Sequence, residues 1–318
     1  MSLLKKPPTP ATEAVLVHDI SPPHPRFKYF DQMVADAANK TNGSLRIAIN
    51  PGGKILYPGK SSLEAVRSGK VPLTLVNSVH VAAVNPRIGF INQPFAMEDE
   101  TMAQPGIAEE MIGMMQTLVQ PSGLHILALM RGADSIFIFK NRQIRKPEDL
   151  KGLKIRVAGE GVFQDIVRSF DAEPVVLPPA ESTSAVERGV VDGVLTSPGG
   201  WVRQFGLSAP SGTVVPGLLF MTYLMLADHS WLSRLPMGHR HTLVEAARAN
   251  VTEQWGAFRR DDSQVISNFT AQGASCWSVP ANELPYWKEK VEWIACKFAG
   301  DYPDVIRRYT AIILPGSR

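Results

Sequence analysis

Apolar residues recur along this chain in two alternating rhythms, one of period two and one of helical period, and the alternation predicts its class. Ala14 to Ile20 is a short β-rich run, followed by a proline-rich turn, Ser21-Pro22-Pro23-His24-Pro25. Phe27, Phe30, Val34, Ala37, Ala38 and Thr41 then recur at helical spacing. Asn42-Gly43 ends that helix, because both residues tolerate a left-handed backbone. Leu45, Ile47 and Ile49 alternate as a strand. A turn at Pro51-Gly52-Gly53 leads to a helix near 61–68 and a strand at Leu73 to Val76.

The rhythm continues. Met102 to Leu118 reads as a helix, and Leu124 to Leu129 and Ile136 to Phe139 read as strands. Pro147-Glu148-Asp149-Leu150 opens a short helical turn, with proline at its first position. Lys154 to Val157 is a strand, and Val162, Phe163, Ile166, Val167 and Phe170 mark a helix. Val175 to Leu177 is a strand, Ala180 to Arg188 a helix ended by Gly189, and Val190 to Leu195 another strand. The apolar run Leu218 to Ala227 predicts a buried strand. His239 to about Gln272 has few breakers and predicts one long helix or a bent pair, and Pro280 to Phe298 predicts a further helix. Strands alternating with helices imply a parallel sheet covered on both faces. The interleaved segments and the long late helix imply two lobes crossed more than once. Residues 1–12 read as a disordered leader.

Composition narrows the function classes. The 318 residues suffice for two ordinary domains or one large one, and 44% apolar with 20% charged residues is ordinary for a globular protein. No stretch approaches the roughly 18 apolar residues of a membrane-spanning helix. A net charge of +3, with basic residues scattered, gives nucleic-acid binding no support. In Met1-Ser2-Leu3-Leu4-Lys5-Lys6-Pro7-Pro8, prolines follow the lysines where a secretory signal needs an apolar core. The chain is therefore either cytoplasmic or a mature chain whose signal has been removed. Cys276 and Cys296 allow a disulfide in an oxidising compartment or stand as two unpaired thiols, and their spacing fits no zinc pattern.

Several segments in series carry a family resemblance. A strand, a proline-rich turn and a helix ending Asn39-Lys40-Thr41-Asn42-Gly43 precede Leu45-Arg46-Ile47 and Pro51-Gly52-Gly53. Leu63-Glu64-Ala65-Val66-Arg67-Ser68-Gly69 and Gln93-Pro94-Phe95 come next. The most specific piece is Pro147-Glu148-Asp149-Leu150-Lys151-Gly152-Leu153-Lys154-Ile155-Arg156-Val157. Arg188-Gly189-Val190-Val191-Asp192-Gly193 and Trp231-Leu232-Ser233-Arg234-Leu235-Pro236 complete the set. From about residue 14 to 300 the chain resembles the solute-binding proteins of TRAP transporters, of the DctP type. The resemblance implies an α/β, two-lobed periplasmic-binding-protein fold with an interlobe cleft and a long lobe-spanning helix. It implies one lobe from 13–133 with 223–262 and a second from 134–222 with 263–318. It also implies a periplasmic location, a small organic acid as ligand, and hand-over to a membrane permease.

Arg156 is the first candidate for the ligand's carboxylate. A guanidinium offers two parallel N–H donors that match the two carboxylate oxygens. Strand alternation sends Ile155 and Val157 one way and Arg156 the other, and Arg156 matches the family's carboxylate-binding arginine. Two departures qualify the match. Many members carry a second arginine or a glutamine about 20 residues earlier, where this chain reads Asp134-Ser135-Ile136-Phe137-Ile138. Arg131 stands five residues off that register, as a structural arginine or a ligand contact. The Asp192-Gly193 turn is followed by Val194-Leu195-Thr196-Ser197, not by the carboxylate with which some members hold a metal-assisted oxo-acid. Thr196 and Ser197 would give neutral hydrogen bonds, so a monocarboxylate with an apolar or hydroxylated remainder is expected.

Asn77 and Ser78 follow a strand at its C-terminal end, where open α/β sheets bind ligands. His24 follows the first strand. Phe163 and Trp201 are candidate pocket walls, with core packing and a lobe surface as the respective alternatives. Tyr223 belongs near the hinge as a core residue.

Enzyme motifs are missing: there is no Gly-x-Ser-x-Gly elbow, no His-Glu-x-x-His and no phosphate loop. His239 and His241 are two apart, pointing about 200° apart on a helix, and no cofactor or metal is expected. The effector-sensing domain of a regulator shares the two-lobed shape, but it would need a DNA-reading segment before residue 14, where there is no room.

Overall fold

Sheet topology follows from where the chain crosses between two cores. The computed structural model describes residues 11–18, 27–159, 161–249 and 251–314. Among these the strands are β1 (Thr12–Val17), β2 (Leu45–Ile49), β3 (Leu73–Asn77), β4 (Leu124–Asp134), β5 (Ile136–Phe139), β6 (Lys154–Val157), β7 (Glu173–Val176), β8 (Gly193–Thr196), β9 (Ser211–Val214), β10 (Phe220–Asp228) and β11 (Ser275–Ser278). They form a five-stranded sheet, β2-β1-β3-β10-β4, and a six-stranded sheet, β11-β9-β5-β8-β6-β7.

Neither sheet is purely parallel, contrary to the expectation from alternation alone. β10 lies antiparallel between β3 and β4, and β5 lies antiparallel between β8 and β9. The reason is the crossing pattern. β4 runs directly into β5 through Ser135, so the chain passes from one sheet to the other without a helical return, and β10 comes back the opposite way. β10 bulges against β4 between Met221 and Thr222. Gly132 is required there, because a Cβ would sit 2.2 Å from the Met221 carbonyl oxygen.

Helices 27–40, 60–67 and 107–119 cover the first sheet, whose core includes Leu16, Phe30, Leu45, Leu73, Met111 and Leu129. The second sheet has a core on each face. Phe137, Ile155, Val157 and Trp287 pack on one, and Ile138, Val194, Trp201 and Phe269 on the other. The 239–272 stretch is a pair of helices, Met237–Arg248 and Val251–Ala271. The second has 21 residues and so spans ~30 Å. Its Trp255 stacks on Phe220 in the first core at 5.5 Å, and its Phe269 meets Trp201 edge-on at 4.9 Å in the other sheet.

Several local expectations shift. The strand expected from Val190 begins at Gly193, and Val190 is exposed. β9 and β11 are four-residue strands with polar ends, too short to show a period. The helix Pro303–Ile313 sends Val305, Tyr309 and Ile312 into the first core, although 263–318 was expected wholly with the second sheet. Thr12, expected in the leader, is paired in β1 and its hydroxyl meets His239 Nδ1 at 3.0 Å. Residues 1–10 and the proline turn with His24 lie outside the described residues. Cys276 and Cys296 are both free thiols, and burial pushes the Cys276 thiol up to about 11. No helix among the described residues is long and apolar enough to cross a membrane.

Candidate ligand-binding site

The C-terminal ends of the parallel strands in both sheets supply the polar groups that the sequence singled out. β6 lies between β7 and β8, with Arg156 in register with Val175 and Val194. Ile155 and Val157 pack into the Phe137 core, so Arg156 projects to the opposite face, the face of Val194 and Trp201. It is only 2% exposed. Its Nε and Nη2 both donate to the Leu177 carbonyl, at 3.0 and 2.7 Å. Among the described residues no carboxylate pairs with it. Burial alone pushes its pKa down, to about 10. A buried guanidinium with no counter-ion among the described residues is costly unless an anion supplies the charge.

Beside it, at the end of β8, Thr196 and Ser197 are half-buried. Ser197 Oγ accepts from the Gly200 N–H at 3.1 Å and caps the turn Pro198–Gly200. The Thr196 hydroxyl sits where a Cβ on residue 200 would be, 2.5 Å away, and has no hydrogen-bond partner among the described residues. From the first sheet comes Asn77, whose Oδ1 accepts from the Val79 N–H at 3.0 Å and whose β3 position pairs with Tyr223 on β10. Val79 and Phe95, from the first-sheet side, pack against the Phe137 core of the second. Phe95 has φ 57°, a left-handed backbone that a bulky side chain adopts only under constraint. Its N–H donates to the Gly217 carbonyl at 2.8 Å, tying this turn to the β9–β10 crossing.

Other candidates are placed differently. Ser78 is fully buried; its hydroxyl donates to Asn92 Oδ1 at 2.6 Å and accepts from Thr222 Oγ1 at 2.7 Å. Phe163 packs in the Phe137 core. Trp201 has no exposed surface, and its indole N–H donates to the Ala209 carbonyl at 2.7 Å, so it is a core residue and not a pocket wall. Arg131 is 1% exposed and its donors are taken by the protein's own acids. Nε and Nη2 grip Asp99 at 2.6 and 3.0 Å, Nη1 meets Asp262 at 2.5 Å, and Asp134 lies 3.8 Å away.

This acid cluster has a pH signature. Burial, assisted by Asp99 and Asp262, raises the Asp134 carboxyl to about 6 against the opposing Arg131 and the Gly217 N–H. Between the ordinary 3.8 and about 6 the folded state therefore binds the extra proton, and stability falls as pH rises through that window. Asp134→Asn should remove this loss. Relative to wild type the variant should gain on the order of 2 kcal/mol between pH 4 and pH 7 in urea unfolding. A difference that stays constant across that range would contradict the assignment.

Sequence reasoning passed over Arg203. It follows Gly199 by four residues in a tight turn, and its guanidinium lies on that glycine, with Nη2 2.7 Å and Nη1 2.9 Å from where a Cβ would stand. The Gly-Gly pair one turn ahead of an arginine was the available signal.

Comparison with known proteins bears on the family and the fold. Residues 16–301 match the model of the bacterial extracellular solute-binding proteins, family 7. The C4-dicarboxylate-binding periplasmic protein DctP of Rhodobacter capsulatus is 22% identical over 274 residues, covering 86% of this chain and 82% of that protein. The 2,3-diketo-L-gulonate-binding periplasmic protein YiaO of Escherichia coli is 23% identical over 169 residues, 53% of this chain and 50% of that one. In fold, the chain superposes on the sugar acid binding protein DctPAm of Advenella mimigardefordensis, solved with galactonate, at a TM-score of 0.85 and 18% identity, over 96% and 98% of the two chains. A TRAP periplasmic solute-binding protein of Citrobacter koseri, solved with D-glucuronate, gives a TM-score of 0.82 at 21% identity, over 94% and 99%. The chain belongs to the family-7 bacterial extracellular solute-binding proteins, the DctP-type receptors of TRAP transporters.

Proposed function

We propose that this protein captures a small organic acid in the periplasm, holds it by its carboxylate at Arg156, and passes it unchanged to a membrane permease. One observation carries the reading: Arg156 is buried, is bonded only to the Leu177 carbonyl, and has no acidic partner among the described residues. A ligand carboxylate supplies the missing charge in the form the guanidinium fork fits best. Thr196, Ser197 and Asn77 offer neutral contacts to the remainder, which favours a monocarboxylate bearing hydroxyls. That relatives of similar fold were solved with galactonate and D-glucuronate supports this ligand class. The two sheets are read as the cores of two lobes that close over the ligand, hinged at Ser135, at 215–219 and along the helix Val251–Ala271.

A thermal-shift screen of organic acids tests the proposal. A ligand that binds only the folded state at a hundredfold excess over its Kd adds about 2.7 kcal/mol. Hydroxylated monocarboxylates should raise the melting temperature, and the corresponding neutral sugars should not. Stabilisation by neutral sugars alone would overturn the carboxylate reading.

A further inference from the structure

We propose that Arg203 is a second ligand-contacting residue, one that reads hydroxyl groups at the end of the ligand away from its carboxylate. This rests on the reading that Arg156 holds the carboxylate. Arg203 lies in the turn Trp201–Phe205, whose Trp201 and Phe205 side chains are buried in the core, so that Arg203 between them is turned outward and exposed. Gly199 seats its guanidinium. Partial burial of the guanidinium lowers its pKa, and Asp262, on the lobe-spanning helix, and Tyr223, which pairs with Asn77 on the first sheet, oppose that shift. The turn Pro198–Gly200 that seats this cation is capped by Ser197, touches the Thr196 hydroxyl and packs on the helix Val251–Ala271, so Arg203 stands on the same turn as the two candidate hydroxyls. No hydrogen bond or ion pair engages it among the described residues.

Two considerations decide what it would bind. Arg156 is seated on the Leu177 carbonyl beside β6, whereas Arg203 is seated on Gly199 past the end of β8, so the two guanidinium groups hold separate seats. The surroundings of Arg203 are already acidic. Asp99, Asp134 and Asp262 stand against Arg131, and Asp262 acts directly on Arg203. A second ligand carboxylate would meet that field, whereas a hydroxyl accepts from the guanidinium and donates to a neighbouring oxygen. The tail is therefore neutral and hydroxylated, and both alkanoates and diacids are disfavoured. A purely structural Arg203, serving only to balance the acid cluster, would change stability without changing this selectivity.

Calorimetric titration of the full chain with galactonate, hexanoate and galactarate separates these roles. Wild type should prefer galactonate to each of the others by at least about tenfold, because hexanoate offers the guanidinium no hydroxyl and the second carboxylate of galactarate meets the acid cluster. Arg203→Ala should weaken galactonate binding by on the order of tenfold, leave hexanoate unchanged, and so collapse the ratio. Arg203→Gln, which keeps N–H donors, should recover part of it. An unchanged galactonate-to-hexanoate ratio in Arg203→Ala, or a wild type that prefers galactarate, overturns the inference. Undiminished binding by Arg156→Ala instead marks a failure of the carboxylate reading, whereas a wild type that binds hexanoate as tightly as galactonate overturns this inference alone.

Discussion

Replacing Arg131 with alanine should cost the fold about 3–5 kcal/mol, the usual penalty for removing one partner of a buried ionic network. Its guanidinium is the common counter-ion of Asp99, Asp134 and Asp262, and it joins three separate segments: the short helix Asp99–Met102, the end of β4 and the lobe-spanning helix. Asp99 keeps only 9% of its side-chain surface. Without Arg131, three carboxylates would face one another at the crossing between the sheets. Arg131→Met, which preserves much of the packing against Phe220, should fall in the same range, because the loss lies in the charge and not in the stem. The deficit should shrink at pH 4, where unpaired carboxylates take up protons more readily than paired ones. Urea unfolding at pH 7 and pH 4 reads both effects. A loss under 1 kcal/mol at pH 7 would show that the network contributes little, as exposed ion pairs do.

Arg156→Ala should weaken binding without weakening the fold. Affinity for the acid should fall on the order of 100-fold or more, ~3 kcal/mol at 1.4 kcal/mol per tenfold. The fold should lose nothing comparable, because among the described residues Arg156 makes no ion pair and its two hydrogen bonds share one carbonyl. Arg156→Lys should recover little, since a point charge cannot reproduce the planar fork. Two arginines with nearly equal burial thus have contrasting roles, and the contrast lies entirely in their partners.

That contrast also shows where the sequence was informative. Lys154-Ile155-Arg156-Val157 made the strand and the direction of Arg156 legible, because alternation is local. The helix after Val162, the β4 and β5 runs and the turn Asp192-Gly193 were legible for the same reason. The mixed direction of the sheets was not, because β10 pairs with β3 and β4 only after the chain has returned from the other sheet. Arg131 could not be assigned from its neighbours, since Asp99 and Asp262 are 32 and 131 residues away in sequence. The hydrogen-bond partners of Trp201 and Ser78 were hidden for a related reason. Their polar atoms are satisfied by Ala209, Asn92 and Thr222, and period-two or period-3.6 patterns carry no record of such pairings. Arg203 was missed because its seat is a glycine, a residue read as a turn and not as a contact.

Isothermal titration of wild type and Arg156→Ala with galactonate tests the central claim most directly. The account predicts measurable binding by wild type, a Kd raised on the order of 100-fold or more in the variant, and an unfolding midpoint in urea that does not fall without ligand. A variant that binds within threefold of wild type would contradict it, and would mean that the carboxylate is held elsewhere.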